Sequence, residues 1–161
     1  MKSMNQLISE YTSQIQQGDL PHAYRGILEF IGKLRADFAN KFPQYEVRNV
    51  YQGRMDITFF AISSQELLSK ELKIAVVYLH EKGHFEVWLS ARNRSIARQY
   101  RSINWEEGFG QIKVFHDENN PDAIIECTLT SNPNFDDQDQ LISLMVQGVE
   151  DFMQTIIHLL N

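Results

Sequence analysis

The sequence predicts a single α+β domain, residues 1–161, with a largely antiparallel sheet, and three observations support this prediction. Apolar residues recur at helical spacing near both ends of the chain. The middle of the chain instead shows short, turn-bounded segments rich in β-branched and aromatic residues, which is typical of strands. A chain of 161 residues that is 43% hydrophobic is long enough for one core of its own. The expected order is α-α-β-β-β-β-α-β-β-α, with N-terminal helices and a long C-terminal helix.

Two helices are predicted ahead of the sheet. In residues 3–17 the apolar side chains at helical spacing are Met4, Leu7, Ile8, Tyr11 and Ile15. Gly18 suits the end of this helix, and Asp19 and Pro21 suit the first turn of the next one. The second helix is expected to end near residue 42, because a proline follows. Its apolar stripe consists of Ile27, Ile31, Leu34 and Phe38, widened by Phe30.

Four strands are predicted in the middle of the chain. They span residues 45–51, 55–62, 72–80 and 84–90. Gly53 lies between the first two strands and suits a turn, while residues 63–69 are expected to form a short helix or a loop. The strands follow one another through short connections, so they are expected to pair as antiparallel neighbours.

The hairpin of the third and fourth strands is predicted to have two unlike faces. A two-residue turn at Lys82 and Gly83 fixes the register. The residues paired on the apolar face are Val76 with Leu89, Tyr78 with Val87, and His80 with Phe85. The other face carries Lys73, Ala75, Val77, Leu79, Glu86, Trp88, Ser90 and Arg92. Because this second face mixes apolar and polar residues, we expect it to be half exposed or covered by a helix.

The last part of the chain is predicted to contain a short helix, two strands and a long helix. The short helix spans residues 93–103, and the strands span 111–116 and 123–130. Alternation in the second of these strands predicts that Cys127 is a buried thiol rather than a nucleophile. The final helix, from residue 136 or 137 almost to the end, has a broad apolar face. A central helix packed on the sheet is the favoured interpretation of that face, and a homodimer interface is the alternative.

Composition and charge argue against several classes of protein. A net charge of −6 opposes attraction of the whole surface to nucleic acid or to an anionic membrane. One cysteine is too few for a disulfide framework or a cysteine-rich zinc site. The chain has no apolar run near the roughly 20 residues that span a bilayer, and its start lacks the apolar core of a secretory signal. We therefore expect no membrane segment, no nucleic-acid partner and a cytoplasmic location.

The segment His80-Glu81-Lys82-Gly83-His84 matches the H-E-x-x-H pattern of zinc peptidases. That pattern works on a helix, where both histidines face one metal ion and the glutamate activates the metal-bound water. Here a strand pattern precedes and follows the motif, so His80 and His84 are expected on opposite strands of a hairpin. We therefore predict no metal site and no cofactor, while a zinc hydrolase using His80 and Glu81 stays an alternative.

Asp56 followed by Glu71-Leu72-Lys73 resembles the D…(D/E)-x-K signature of restriction-endonuclease-like nucleases. Those enzymes hold Mg²⁺ between two carboxylates and place the lysine beside the attacked phosphate. If the two strands are antiparallel neighbours, however, Asp56 and Glu71 lie at opposite ends of the sheet, about 20 Å apart. The geometry therefore argues against a shared metal, and the nuclease stays an alternative.

A local basic patch interrupts the acidic chain. Arg92, Arg94, Arg98 and Arg101 place four positive charges within residues 92–101, and without them the rest of the chain carries −10 instead of −6. On a helix the last three share one face. Arginine suits phosphate or carboxylate groups, and Trp88 points from the same hairpin. We predict an anion site at Trp88, Arg92, Arg94, Arg98 and Arg101; the competing interpretation is a set of surface salt bridges without a ligand.

Several segments resemble a family of small, uncharacterised bacterial proteins. They are Tyr78-Leu79-His80-Glu81, the stretch from Phe85 to Arg94 that reads FEVWLSARNR, Gln17-Gly18-Asp19, Ala23-Tyr24-Arg25-Gly26 and Met55-Asp56-Ile57-Thr58. The similarity spans nearly the whole chain. It implies a bacterial single-domain protein of unknown function, and it supplies no catalytic residues.

The function that the sequence favours is a non-catalytic binding or accessory protein, with a homodimer as one expected partner state. It would recognise an anionic group, a small molecule or a partner peptide through the basic patch. The alternative is a metal-dependent hydrolase or a restriction-endonuclease-like nuclease. An enzyme needs polar groups that converge on a metal ion or a cleft, whereas a binding module needs only a suitable patch.

Overall fold

The computed structural model describes all 161 residues and contains six helices around one five-stranded sheet. The helices are α1 (Met4–Gln17), α2 (Asp19–Lys41), α3 (Gln65–Ser69), α4 (Arg94–Tyr100), α5 (Trp105–Phe109) and α6 (Gln138–Leu160). The strands are β1 (Glu46–Val47), β2 (Ile57–Ser63), β3 (Leu72–Leu79), β4 (His84–Ala91) and β5 (Ile125–Thr130). The strands lie in chain order, and each is antiparallel to its neighbour. The predicted α+β class is confirmed, with its antiparallel sheet, its N-terminal helices and its long C-terminal helix.

The two long helices cover one face of the sheet. From α2 the buried residues are Phe30, Ile31, Leu34 and Phe38, at the spacing that the sequence shows. From α6 they include Met145, Val149, Phe152 and Ile156, each at most 1% exposed. These side chains join Phe60, Ile62, Ile74, Val76, Tyr78, Phe85, Val87 and Leu89 of the sheet in one core. The favoured interpretation of the last helix, a central helix packed on the sheet, is therefore confirmed.

The β3–β4 hairpin has a longer turn than the sequence predicts. Residues 80–83 form a four-residue connection, in which Gly83 has a φ of 66° and its N–H donates to the Leu79 carbonyl. Val76 therefore lies opposite Val87, and Tyr78 opposite Phe85. The predicted pairs were wrong by two residues. Because side chains alternate with a period of two, this shift leaves both predicted faces unchanged.

Two predicted strands are shorter than expected. In residues 111–116 only Phe115 pairs with a strand, through an isolated bridge to Glu126. On either side of this bridge the chain turns away from β5. Before it, Val114 packs into the core, and after it, the loop bends around the Glu126 carboxylate. The predicted strand at residues 45–51 is likewise reduced to β1 and a bridge at Tyr51.

Cys127 lies on the core face of β5 and is 8% exposed. Burial raises the pKa of its thiol, and its Sγ lies 3.7 Å from the Thr128 carbonyl oxygen. The prediction of a buried thiol is confirmed. No helix has both the length and the apolar character needed to cross a membrane.

We expect Cys127 to react with Ellman's reagent only when the chain unfolds, because the thiolate is the reactive form and burial disfavours it. The measurement is the release of thionitrobenzoate at neutral pH, in buffer and in guanidinium chloride. Immediate labelling of the native chain, at the rate seen in denaturant, contradicts the burial of this thiol.

Candidate anion-binding pocket

A cavity of about 230 Å³ lies on the face of the sheet opposite to α2 and α6. Its floor comes from three neighbouring strands, so it depends on their register. Phe59 of β2 lies opposite Val77 of β3, and Ala75 of β3 lies opposite Trp88 of β4. Ala75, Val77 and Trp88 belong to a small apolar cluster that is separate from the main core. The mixed face that the sequence predicts is therefore partly covered and partly open.

Three cationic side chains line one end of this cavity. Lys73 of β3 is half-buried and lies opposite Ser90 of β4, while Arg92 and Arg94 follow β4 at the start of α4. Asp122 is the one carboxylate in the lining. The cavity thus combines an apolar floor with an excess of positive charge, a combination that suits a ligand with an apolar body and an anionic group.

The two arginines have partners that a ligand can displace. Arg92 Nη1 lies 2.9 Å from Glu71 Oε1, and Arg94 Nε lies 3.1 Å from Asp122 Oδ1. All four of these side chains are 46–73% exposed. Exposed ion pairs contribute little, typically about 0–1 kcal/mol, so exchanging a carboxylate of the protein for a ligand anion costs little. Lys73 differs from both arginines, because no acidic side chain forms an ion pair with it.

The structure brings Trp88, Arg92 and Arg94 together in the cavity and places the other two predicted residues outside it. Arg98 is exposed on α4. Arg101 caps α4, and its Nη2 donates to the carbonyl oxygens of Pro121 and Ala123, both at 2.8 Å. Arg101 therefore holds in place the loop that carries Pro121 and Asp122 on the rim of the cavity.

A buried carboxylate fixes the indole of Trp88. Glu86, which is 3% exposed, accepts a hydrogen bond of 3.0 Å from Trp88 Nε1 and lies 2.7 Å from His84 Nε2. Lys82 Nζ stands 3.8 Å from the same carboxylate. Because His84, Glu86 and Trp88 alternate along β4, all three lie on the cavity face of the strand. The orientation of the tryptophan ring is thus fixed by contacts within the chain.

A second buried carboxylate anchors the loop beside the cavity. Glu126 of β5 lies opposite Trp88 in the sheet and is 0% exposed. It accepts hydrogen bonds from Asn120 Nδ2 at 3.1 Å and from the N–H of Asp117 at 3.3 Å, and His116 Nδ1 lies 3.3 Å away. Burial raises the pKa of this carboxyl, although the loop donors oppose that effect. The Glu126 network fixes the loop from which Pro121 and Asp122 reach the rim.

The H-E-x-x-H residues do not converge. Residues 80–84 lie in a turn and the first residue of β4, so the helix that this motif requires is absent. His80 Nε2 lies 2.8 Å from Thr58 Oγ1, whereas His84 contacts Glu86. No group of three or more His, Cys, Asp or Glu side chains lies close enough together to hold a metal ion. The prediction that this segment lies in a hairpin rather than on a helix is confirmed.

The residues of the nuclease signature are also far apart. The Asp56 carbonyl accepts a hydrogen bond from the N–H of His80, at one end of β3, whereas Glu71 precedes the other end. The register of β2 and β3 is the antiparallel one that the sequence predicts. Across the length of β3 the two carboxylates are separated by more than about 20 Å. Lys73 instead belongs to the cavity.

Burial lowers the pKa of His80 below its ordinary value of 6.5, although the nearby Asp56 carboxylate partly opposes this shift. Below pH 6.5 the unfolded chain binds a proton at this position more readily than the folded chain does, so stability falls as the pH drops. We expect the Tm to fall less between about pH 7.5 and 5.5 in His80→Gln than in the wild type. His22→Gln, at an exposed position, is the control and should keep the wild-type slope. Equal slopes in all three proteins contradict the burial of a neutral His80.

The fold and the cavity define an α+β protein whose antiparallel sheet carries helices on one face and a partly open, cation-lined pocket on the other. The family model described as "Domain of unknown function (DUF7000)" matches residues 4–160, and the chain belongs to this family. The resemblance to a family of uncharacterised proteins is thereby confirmed. Neither the search of curated proteins nor the search of solved structures gave a match.

Proposed function

We propose that this chain is a non-catalytic binding protein for a small amphipathic anion, which has an apolar or aromatic body and a carboxylate or phosphate group. The observation that supports this proposal most directly is Lys73. Its side chain is half-buried beside Trp88 and Ser90 and has no acidic partner. The protein supplies no carboxylate for this ammonium group, and a ligand anion would supply the missing counter-charge.

The floor of the cavity favours an apolar body on the ligand. Trp88 provides a flat ring that is hydrogen-bonded to Glu86. Phe59, which lies opposite Val77 in the sheet, provides a second ring. The cavity volume of about 230 Å³ lies below the range of about 300–1,000 Å³ that holds drug-sized ligands. A single-ring carboxylate or phosphate is therefore a better match than a nucleotide or a folded partner.

The lining supports binding better than catalysis. Its single carboxylate, Asp122, is paired with Arg94, and no histidine or cysteine lines the cavity. The Ser90 hydroxyl has no base beside it in this lining, whereas a nucleophilic serine needs one within hydrogen-bond reach. No observation favours the alternative of a metal-dependent hydrolase or nuclease.

The test uses 3-phenylpropionate and its neutral amide, two probes that differ in one charge. Fluorescence of a Trp105→Phe variant reports on Trp88 alone, since the chain contains two tryptophans. We expect the carboxylate to bind at least about tenfold more tightly than the amide, because only the carboxylate pairs with Lys73. Lys73→Met should remove most of this preference, while Lys113→Met, at an exposed lysine outside the cavity, should keep it.

Two outcomes contradict the proposal. One is equal binding of the acid and the amide, which shows that charge is not recognised. The other is no saturable change at Trp88 with a panel of single-ring carboxylates and phosphates at millimolar concentration. If Lys73→Met and Lys113→Met weaken binding equally, the effect comes from net charge rather than from the cavity.

We also infer a bacterial origin and a cytoplasmic location for the chain. The bacterial origin rests on the sequence resemblance described above. The location rests on Cys127, the single cysteine, which is buried as a free thiol and needs no oxidising compartment. Fractionation of expressing bacterial cells tests the location, and recovery in the periplasm contradicts it.

A further inference from the structure

Helix α1 displays an apolar surface that the rest of the chain leaves uncovered. The apolar side chains of α1 are exposed by 67% at Met4, 46% at Leu7, 53% at Ile8, 61% at Tyr11 and 40% at Ile15. No residue of α1 is buried. Leu20 and Met55 extend this surface, and an adjoining groove of about 390 Å³ runs between α1 and α2. These seven residues are called the α1 surface below.

A helix of this kind needs a packing partner. It has 14 residues, and isolated helices shorter than about 12–15 residues are marginal in water, where packing of an apolar face supplies most of the stability. Its cap is complete, because the Ser3 side chain accepts from the Gln6 N–H and Gln6 reaches back to the Ser3 N–H. The sequence therefore specifies a well-formed helix whose apolar stripe faces solvent in the single chain.

We propose that a second copy of this chain covers the α1 surface, with the two α1 helices antiparallel across a two-fold axis. The stripe of Met4, Ile8, Tyr11 and Ile15 has steps of four, three and four residues, so its spacing is the same read in either direction. A two-fold interface requires a patch that is complementary to itself. In an antiparallel pair Met4 lies opposite Ile15 of the other copy, and Ile8 lies opposite its Tyr11.

The exposed area and the charge of the α1 surface are both consistent with a second copy of the chain. From their exposed fractions, the seven residues present roughly 700 Å² of surface, close to the about 800 Å² that each partner contributes to a standard interface. Between residues 4 and 17 the one charged side chain is Glu10, and Lys2 neutralises it. The two α1 helices themselves therefore meet without charge repulsion. The same helix carries no Lys or Arg, whereas helices that bind anionic membranes usually have a basic polar face.

This interface differs from the one that the sequence suggested at α6. Most of the apolar stripe of α6 is already buried inside the chain, and its exposed large apolar residues, Leu144 and Leu159, are single and far apart along the helix. Single exposed apolar residues are ordinary on protein surfaces. The α1 surface is contiguous, so it is the better candidate for the contact between copies.

Sedimentation velocity of the full chain at micromolar concentration tests the proposal. We expect the wild type to sediment as a dimer of the 18.8 kDa chain, and Ile8→Glu and Tyr11→Glu each to sediment as a monomer. Leu144→Glu, which places the same charge on α6, is the matched control and should remain a dimer. No residue of α1 belongs to the core. The α1 variants should therefore have the same Tm as the wild type, when the wild type is measured at a concentration low enough for it to be monomeric.

Several results overturn this interface. They are a monomeric wild type at every micromolar concentration, a dimer that survives both α1 substitutions, and a dimer that only Leu144→Glu disrupts. Flotation with phosphatidylcholine–phosphatidylglycerol vesicles tests whether a lipid surface, instead of a second copy of the chain, covers the α1 surface. If the wild type is a monomer that floats with the vesicles, and Ile8→Glu and Tyr11→Glu abolish flotation, then the α1 surface binds lipid. That result also overturns the proposed pairing of two copies.

Discussion

Phe152→Ala is expected to lower the free energy of unfolding by about 3–5 kcal/mol. Phe152 lies in the middle of α6, is 1% exposed, and stacks on Phe109 with 5.2 Å between the ring centroids. Removing the ring exposes a cavity where α5 and α6 meet, and the substitution loses both the buried apolar area and the contact between the rings. Urea denaturation followed by circular dichroism measures the change.

Leu144→Ala on the same helix is the control for this effect. Leu144 is 48% exposed, so its truncation should change the stability by no more than about 0.5 kcal/mol. Both substitutions replace a large apolar residue by alanine in α6, so helix propensity alone cannot account for a difference between them. Equal losses at the two positions contradict the placement of α6 with its Phe152 side against the sheet.

Elements whose signal is local could be predicted from the sequence. The apolar stripes of α2 and α6 follow a period of 3.6 residues, and each stripe is the one that the structure buries. The two faces of the β3–β4 hairpin follow a period of two, which is why the faces were right although the register was wrong by two residues. An apolar stripe predicts which side of a helix is buried, but it does not identify the element that packs against that side.

Features that depend on tertiary contacts could not be predicted in the same way. The four-residue turn at 80–83 depends on two donors that reach the Leu79 carbonyl, and its residue types also suit a shorter turn. Residues 111–116 have strand-like composition, but the loop that follows is drawn to the buried Glu126 carboxylate. Helix α5 lies between α4 and this loop and was absent from the predicted order. It is only five residues long, too short for a periodic signal.

Only the part of the candidate site that is contiguous in sequence could be predicted. Arg92 and Arg94 stand out as a cluster in the sequence, and they reach the cavity because β4 ends beside them. Arg98 and Arg101 share the charge, but α4 carries them away from the cavity. Lys73 is distant in sequence from that cluster, and its proximity follows from the pairing of Lys73 with Ser90. The mixed face that the sequence predicts for the hairpin already contains Lys73, Ser90 and Arg92, and this shared face was the signal that could have assigned Lys73 to the site.

Glu126→Ala is expected to lower the free energy of unfolding by about 2–4 kcal/mol, because three donors of the adjoining loop lose the buried carboxylate that accepts from them. Those donors are the N–H of Asp117, the Asn120 amide and the His116 ring. Without the carboxylate the loop loses its anchor, so Pro121 and Asp122 on the rim of the cavity are no longer fixed. We expect the protease Glu-C to cleave at Glu118 faster than in the wild type, since local opening exposes the loop.

Glu126→Gln is the matched variant, because its amide oxygen still accepts from Asn120 and Asp117. We expect it to stay within about 1 kcal/mol of the wild type at neutral pH and to keep the slow cleavage at Glu118. Burial raises the pKa of the Glu126 carboxyl, so the wild type gains stability from this group as the pH falls through the folded-state pKa toward the ordinary value of 4.5. The glutamine variant lacks that gain. If alanine and glutamine at this position give the same stability and the same cleavage rate, the carboxylate does not anchor the loop, and the rim of the cavity must be held by Arg101 and the strand pairing alone.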